Sequence, residues 1–274
     1  MATEQDTDSG SHSSNLRLCG CCECMGGGSE ASGGGGLRWR ALAAELVGTC
    51  LLLFLTCLSN CGEPAPSPLY KAIAAGFIVA MIVQIFDHIS GAQLNPTVTV
   101  AGLVAGRWGA AAAAAEVAAQ LLGAALGGAL LRAAAPASLA TPAAPHAAAA
   151  ACLTLPANGV SPHQAVAVEA ALGACLALAN CASWDARNRY LKDSWPLRIG
   201  LTVAALSLAA GQLTGASMNP ARSFSPALWS NTWTHHWVYW AGGPAGGAAA
   251  AALYRGVWRA PTGARGRGAP SPPP

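Results

Sequence analysis

Two short stretches of an otherwise apolar chain carry residues suited to recognising a small polar molecule. "GAQLNPTVT" covers residues 91–99 and "GASMNPARS" residues 215–223. Both share a Gly-Ala-x-aliphatic-Asn-Pro frame: Asn95, Pro96 and Thr97 in one, Asn219, Pro220 and Ala221 in the other, with Arg222 next. Asn is a favoured N-cap, and Pro suits the first helical position because its missing N–H would be unpaired there anyway. The apolar stretches that follow, near 95–105 and 219–229, are too short to cross a bilayer and read as half-helices. Non-helical backbone at membrane depth survives only where it is buried or lines a watery cavity. An asparagine amide at each tip donates N–H bonds that a water or alcohol oxygen accepts. Each helix N-terminus carries about half a positive charge, so a cation meets two positive ends and few acceptors. A file of waters oriented by those donors conducts protons badly. Arg222 adds repulsion of cations and guanidinium donors for a passing solute, and a charge at that depth normally marks function.

The rest of the chain must hold those tips. It has 274 residues, 53% hydrophobic and 10% charged, whereas soluble domains carry about a quarter charged residues. That deficit predicts a membrane protein, and apolar segments of about 17–25 residues make it all-α. The net charge of +3 is too small and scattered for a nucleic-acid footprint. Residues 1–37, rich in Gly and Ser, and 258–274, rich in Gly, Pro and Arg, read as disordered tails around a domain at 38–257. Six segments there are candidate spans, near 40–60, 69–86, 108–132, 164–183, 197–213 and 234–255. Many are built on Ala and Gly, which allow close helix approach in lipid.

An internal repeat organises the six. Asn95 to Asn219 and Glu45 to Glu169 are the same distance apart (219 − 95 = 169 − 45 = 124), so the halves run over about 38–133 and 162–257. Each holds three spans. An odd number makes the second half enter from the opposite side, and paired broken segments in inverted halves point to a pathway at the midplane. With the N-terminus inside, 12 of the 15 Lys and Arg fall on the inner side, which puts both termini in the cytoplasm.

The tail cluster Cys19, Cys21, Cys22 and Cys24 fits reversible palmitoylation near a membrane better than a metal knuckle, with unmodified thiols as the competing reading. Cys61 and Cys152 both fall on the outer side, where a disulfide between them is conceivable. There is no phosphate loop, no paired carboxylates in one segment and no nucleophile elbow. The chain therefore reads as a non-enzyme without cofactor or metal.

The motifs "HISGAQLNPTVT" and "GASMNPARSFSPALW", with Glu45 and Glu169 in the first and fourth spans, resemble the aquaporin family, the major intrinsic proteins, over about residues 38–257. The resemblance implies six spans plus two re-entrant half-helices and a homotetramer in the membrane with one passive pore per subunit. It also implies that Glu45 and Glu169 are buried acids holding loop carbonyls, and that His88 lines the inner vestibule. The first box departs from the family by carrying Thr97, whose hydroxyl is expected to bond locally. The family's selectivity filter has four contributors, and ungapped counting from the boxes gives Ala75, Ser207, Ala216 and Arg222. Water-selective members resemble a pattern with an aromatic and a His at the first two of these. Small residues there imply a wider constriction that admits glycerol- or urea-sized solutes. Glycerol-type members commonly carry Asp after the Arg, where this chain has Ser223. That mixture resembles the insect entomoglyceroporin group. The expected activity is passive permeation of water, glycerol and urea across the plasma membrane. Competing readings are a water-selective channel, a coupled transporter using the membrane acids, and a structural protein with a closed pore.

Overall fold

The computed structural model describes residues 38–62, 64–135 and 152–259. Cys19, Cys21, Cys22 and Cys24 lie outside the described residues, as do the expected tails apart from Trp258 and Arg259. The helices, in chain order, are α1 (Trp39–Leu58), α2 (Pro68–Ser90), α3 (Pro96–Val104), α4 (Ala110–Ala134), α5 (Pro162–Trp184), α6 (Trp195–Thr214), α7 (Pro220–Ser230) and α8 (Trp237–Leu253). A 3-10 turn, Ala186–Leu191, joins α5 to α6, and a π turn, Tyr254–Trp258, extends α8.

Local chemistry explains the helix starts. Pro68, Pro96, Pro162 and Pro220 each stand at the first helical position behind a polar N-cap. The Ser67 hydroxyl accepts from the Tyr70 N–H, and Ser161 and Gln164 form a reciprocal capping box. Gly91 and Gly215 end α2 and α6 in left-handed conformations (φ 90° and 80°), which glycine reaches without a Cβ clash.

Helices α1, α2, α4, α5 and α6 are long and apolar enough to cross a membrane. The expected sixth span, α8, has 17 residues, and its π turn adds five more along the same course. Apolar side chains also face outward: Phe77, Met81 and Ile85 on α2, and Leu122, Leu126 and Leu130 on α4, are exposed at four-residue intervals. A helix apolar all round suits lipid on one side and protein on the other.

Small residues let the spans close up. Helix α1 packs on α4, α2 on α6 and α5 on α8. At the α2–α6 crossing, a Cβ on Gly76 would sit 2.5 Å from the Gly200 carbonyl oxygen, and one on Gly200 would sit 2.5 Å from the Gly76 oxygen. The two glycines are again 124 residues apart (200 − 76), so this reciprocal contact marks the approximate two-fold axis between the halves. Helix α8 starts just after α7 ends, and the turn beyond it reaches the other end of the bundle. There Arg255 Nη1 donates to the Val104 carbonyl at the end of α3, at 3.0 Å. The C-terminal ends of α3 and α7 therefore lie at opposite faces, and their N-termini point inward at each other.

Candidate functional site

The loops before α3 and α7 have the same built-in strain. Ala92 and Leu94 have φ of 41° and 54°, and Ala216 and Met218 have 42° and 55°. Non-glycine residues avoid this region, at a cost of about 1–3 kcal/mol each. Two fully buried acids hold the loops there. Glu45 accepts from the Ser90 hydroxyl (2.7 Å), the Gln93 N–H (3.0 Å) and the Leu94 N–H (2.7 Å). Glu169 accepts from the Thr214 hydroxyl (2.7 Å), the Ser217 N–H (3.0 Å) and the Met218 N–H (2.8 Å). The expectation that these acids hold loop carbonyls is corrected by this pattern, because an ionised carboxylate can only accept. With those N–H groups turned to the acids, the other edge of each loop faces the central cavity.

The two tips meet through their amides. Asn95 Nδ2 donates to the Met218 carbonyl at 3.0 Å, and Asn219 Nδ2 donates to the Leu94 carbonyl at 2.8 Å. Each Oδ1 caps its own helix: Asn95 accepts from the Thr97 N–H at 2.8 Å, and Asn219 from the N–H groups of Ala221 (2.9 Å) and Arg222 (3.3 Å). An amide nitrogen has two hydrogens. One on each is used across the repeat, and the second is available to the cavity that both asparagines line.

That cavity holds about 490 Å³. Ala75, Ser207, Ala216 and Arg222, the four residues expected to form a constriction, all line it. Three carry small side chains. The Arg222 guanidinium is pinned at one end of the cavity, where Nη1 donates to the Cys152 carbonyl at 2.6 Å.

Several expectations are corrected. Thr97 is fully buried and its hydroxyl has no hydrogen-bond partner among the described residues. It does not bond locally; it packs against α8, where a Cβ on Gly243 would meet its Oγ1 at 2.8 Å and one on Gly247 its Cγ2 at 3.0 Å. Two glycines on the facing helix thus make room for a threonine. His88 is exposed in the last turn of α2, and Leu176, Asn180 and Trp195 line the cavity. The disulfide joins Cys57, not Cys61, to Cys152; Cys61 is a free thiol four residues on, just past the end of α1.

Residues that the sequence reading passed over also shape the site. Gln120 of α4 donates through Nε2 to Glu45 (2.9 Å) and to the Thr99 hydroxyl (2.9 Å), which in turn donates to Gln93 Oε1 (2.7 Å). Tyr239 of α8 donates to the Thr214 carbonyl at 2.8 Å. A lone glutamine in the alanine-rich run "AEVAAQLLG", and hydroxyls at Ser90 and Thr214 one repeat apart (214 − 90 = 124), were the available signals.

The family model for the major intrinsic proteins matches residues 36–254. The chain is 40% identical over 224 residues to Probable aquaporin TIP4-2 of Oryza sativa subsp. japonica, which covers 78% of this chain and 83% of that protein. It is 39% identical over 219 residues to the lens fiber major intrinsic protein of Oryctolagus cuniculus, 79% of this chain and 80% of that one. The fold resembles the X-ray structure of the aquaglyceroporin from Plasmodium falciparum with a TM-score of 0.71, at 20% identity, over 80% of this chain and 96% of that one.

Proposed function

Since the chain belongs to the major intrinsic protein family of membrane channels, we propose that it conducts glycerol- and urea-sized uncharged solutes as well as water. The observation that carries this reading is the constriction set Ala75, Ser207, Ala216 and Arg222, in which the arginine is the one large side chain. A wall of Ala, Ser and Ala leaves room for a carbon backbone. Arg222 and the two asparagine amides supply the donors that replace a solute's lost water contacts. The inward-pointing N-termini of α3 and α7 disfavour cations. A small residue at 207, where water-selective channels resemble one another in carrying His, supports kinship with the entomoglyceroporin-like group.

The basic residues support a multi-pass arrangement with both termini cytoplasmic and the Cys57–Cys152 end outside; the plasma membrane is the membrane proposed. As is typical of the family, the working unit is a homotetramer with one pathway per subunit. His88, exposed in the last turn of α2, is assigned a place at the rim of the inner mouth, outside the constriction.

The test is stopped-flow flux in vesicles, comparing the wild type with Ser207→His. The substitution should narrow the constriction and suppress glycerol flux more than water flux, by roughly tenfold or more, since rejection of one carbon-sized group by a tight pocket is worth about 1–3 kcal/mol. Absent glycerol flux in the wild type beside intact water flux would overturn the solute assignment in favour of a water-selective channel.

A further inference from the structure

The segment leading into α5 is fastened over one end of the cavity. Its first described residue, Cys152, is fully buried and disulfide-bonded to Cys57 in the last turn of α1, 95 residues earlier. The carbonyl of the same Cys152 accepts the Arg222 Nη1 bond at 2.6 Å. Two further contacts dock the segment on the start of α7 and the end of α6: Thr154 Oγ1 and Ser223 Oγ lie 2.7 Å apart, and the Ala157 N–H donates to the Leu213 carbonyl at 2.8 Å. Residues 153–157 have no regular secondary structure, so no helix ladder fixes where the Cys152 carbonyl points. The covalent link to α1 is the anchor on Cys152 itself, two residues ahead of the first of those contacts.

We infer that the Cys57–Cys152 disulfide is a positioning device for solute selection, because it fixes the carbonyl that aims the Arg222 guanidinium. The inference rests on the reading of Arg222 as part of the constriction. A disulfide closing a loop this long also stabilises a fold by restricting the unfolded chain. What distinguishes this one is that the acceptor of the constriction's arginine belongs to one of the bonded cysteines. Without the link the carbonyl drifts, Arg222 loses its partner, and the long side chain sweeps the lumen. Water passes a wandering guanidinium more easily than a three-carbon solute does. The role of Ser223 follows from the same geometry. It ties the strap through Thr154 and bonds Ser217 Oγ, in the loop before α7, at 2.6 Å.

The experiment is a double-mutant cycle in reconstituted vesicles, read as the glycerol-to-water permeability ratio. The chains compared are wild type, Cys57→Ala with Cys152→Ala, Arg222→Ala, and all three substitutions together. In the Arg222 background, removing the disulfide should lower the ratio by roughly tenfold or more, the scale set by one lost hydrogen bond to a charged group. In the Arg222→Ala background the same pair of cysteine substitutions should leave the ratio unchanged. A disulfide that only stabilises the fold would lower both fluxes together, so an unaltered ratio in conducting vesicles overturns the inference. An equal shift in both backgrounds also overturns it, since the link would then act elsewhere. If the doubly substituted chain does not fold, wild-type protein folded with the link intact and then reduced in the vesicle carries the same expectation. Mass mapping of the unreduced wild type must also find Cys57 and Cys152 in one linked peptide pair; free thiols at both end the idea. Vesicles of wild-type protein that pass no water faster than bare lipid would sink the channel reading itself, an outcome distinct from an unaltered ratio.

Discussion

At the scale of single residues, Thr97 isolates one physical effect. Its hydroxyl is buried without a partner among the described residues, while its methyl fills the gap opposite Gly247. A buried hydroxyl without a hydrogen bond costs about 1–3 kcal/mol. Thr97→Val keeps the shape and removes that cost. Thermal unfolding of the purified protein should show it more stable by about 1 kcal/mol, with water flux unchanged. A lower melting temperature would mean that the hydroxyl has a partner after all. The asparagines, Arg222 and the two acids were legible in the sequence because each breaks an apolar run and the asparagines and acids recur at one offset. The surroundings of Thr97 were not legible, because the glycines that accommodate it lie in the last span, at 243 and 247. Cys57 lies in the last turn of α1 and Cys61 four residues on, just past its end, and only the path of the Cys152 segment selects between them.

Among the elements, the contrast between two kinds of glycine is the sharpest test. At Gly76 the limit is space, since an added Cβ would lie 2.5 Å from the Gly200 oxygen. Gly76→Ala must push α2 and α6 apart, and such overpacking costs typically about 1–3 kcal/mol, occasionally more. At Gly91 there is open space around a Cβ, and the limit is its φ of 90°. Gly91→Ala should cost only about 1–2 kcal/mol, the penalty for left-handed backbone. Denaturant or thermal melts of both variants should therefore rank Gly76→Ala as the more damaging of the two or its equal. A markedly worse Gly91→Ala would show that the helix crossing is more yielding than its geometry implies. The half-helices could be anticipated from Asn-Pro capping, and the long spans from composition. The last span's π turn could not, because nothing in "YRGVW" differs from an ordinary helix end.

For the molecule as a whole, the two acids that recur between the halves bear on the choice between passive and coupled transport. Glu45 and Glu169 are fully buried, and every bond they make is to a hydroxyl, an amide or a backbone N–H of the supporting scaffold. Acids bound in this way fix loops and do not carry protons. Solute flux should therefore stay the same when a proton or sodium gradient across the vesicle is collapsed, and should rise linearly with solute concentration. Saturating, gradient-dependent flux would favour the transporter. The crossed amides of Asn95 and Asn219 carry a further consequence for how the protein comes to exist. Each half is finished by an atom belonging to the other. A nascent first half therefore waits in the bilayer with an unfilled valence until the ribosome has delivered Met218. Locking of the first half is then a late step, possible only once the second loop has been made.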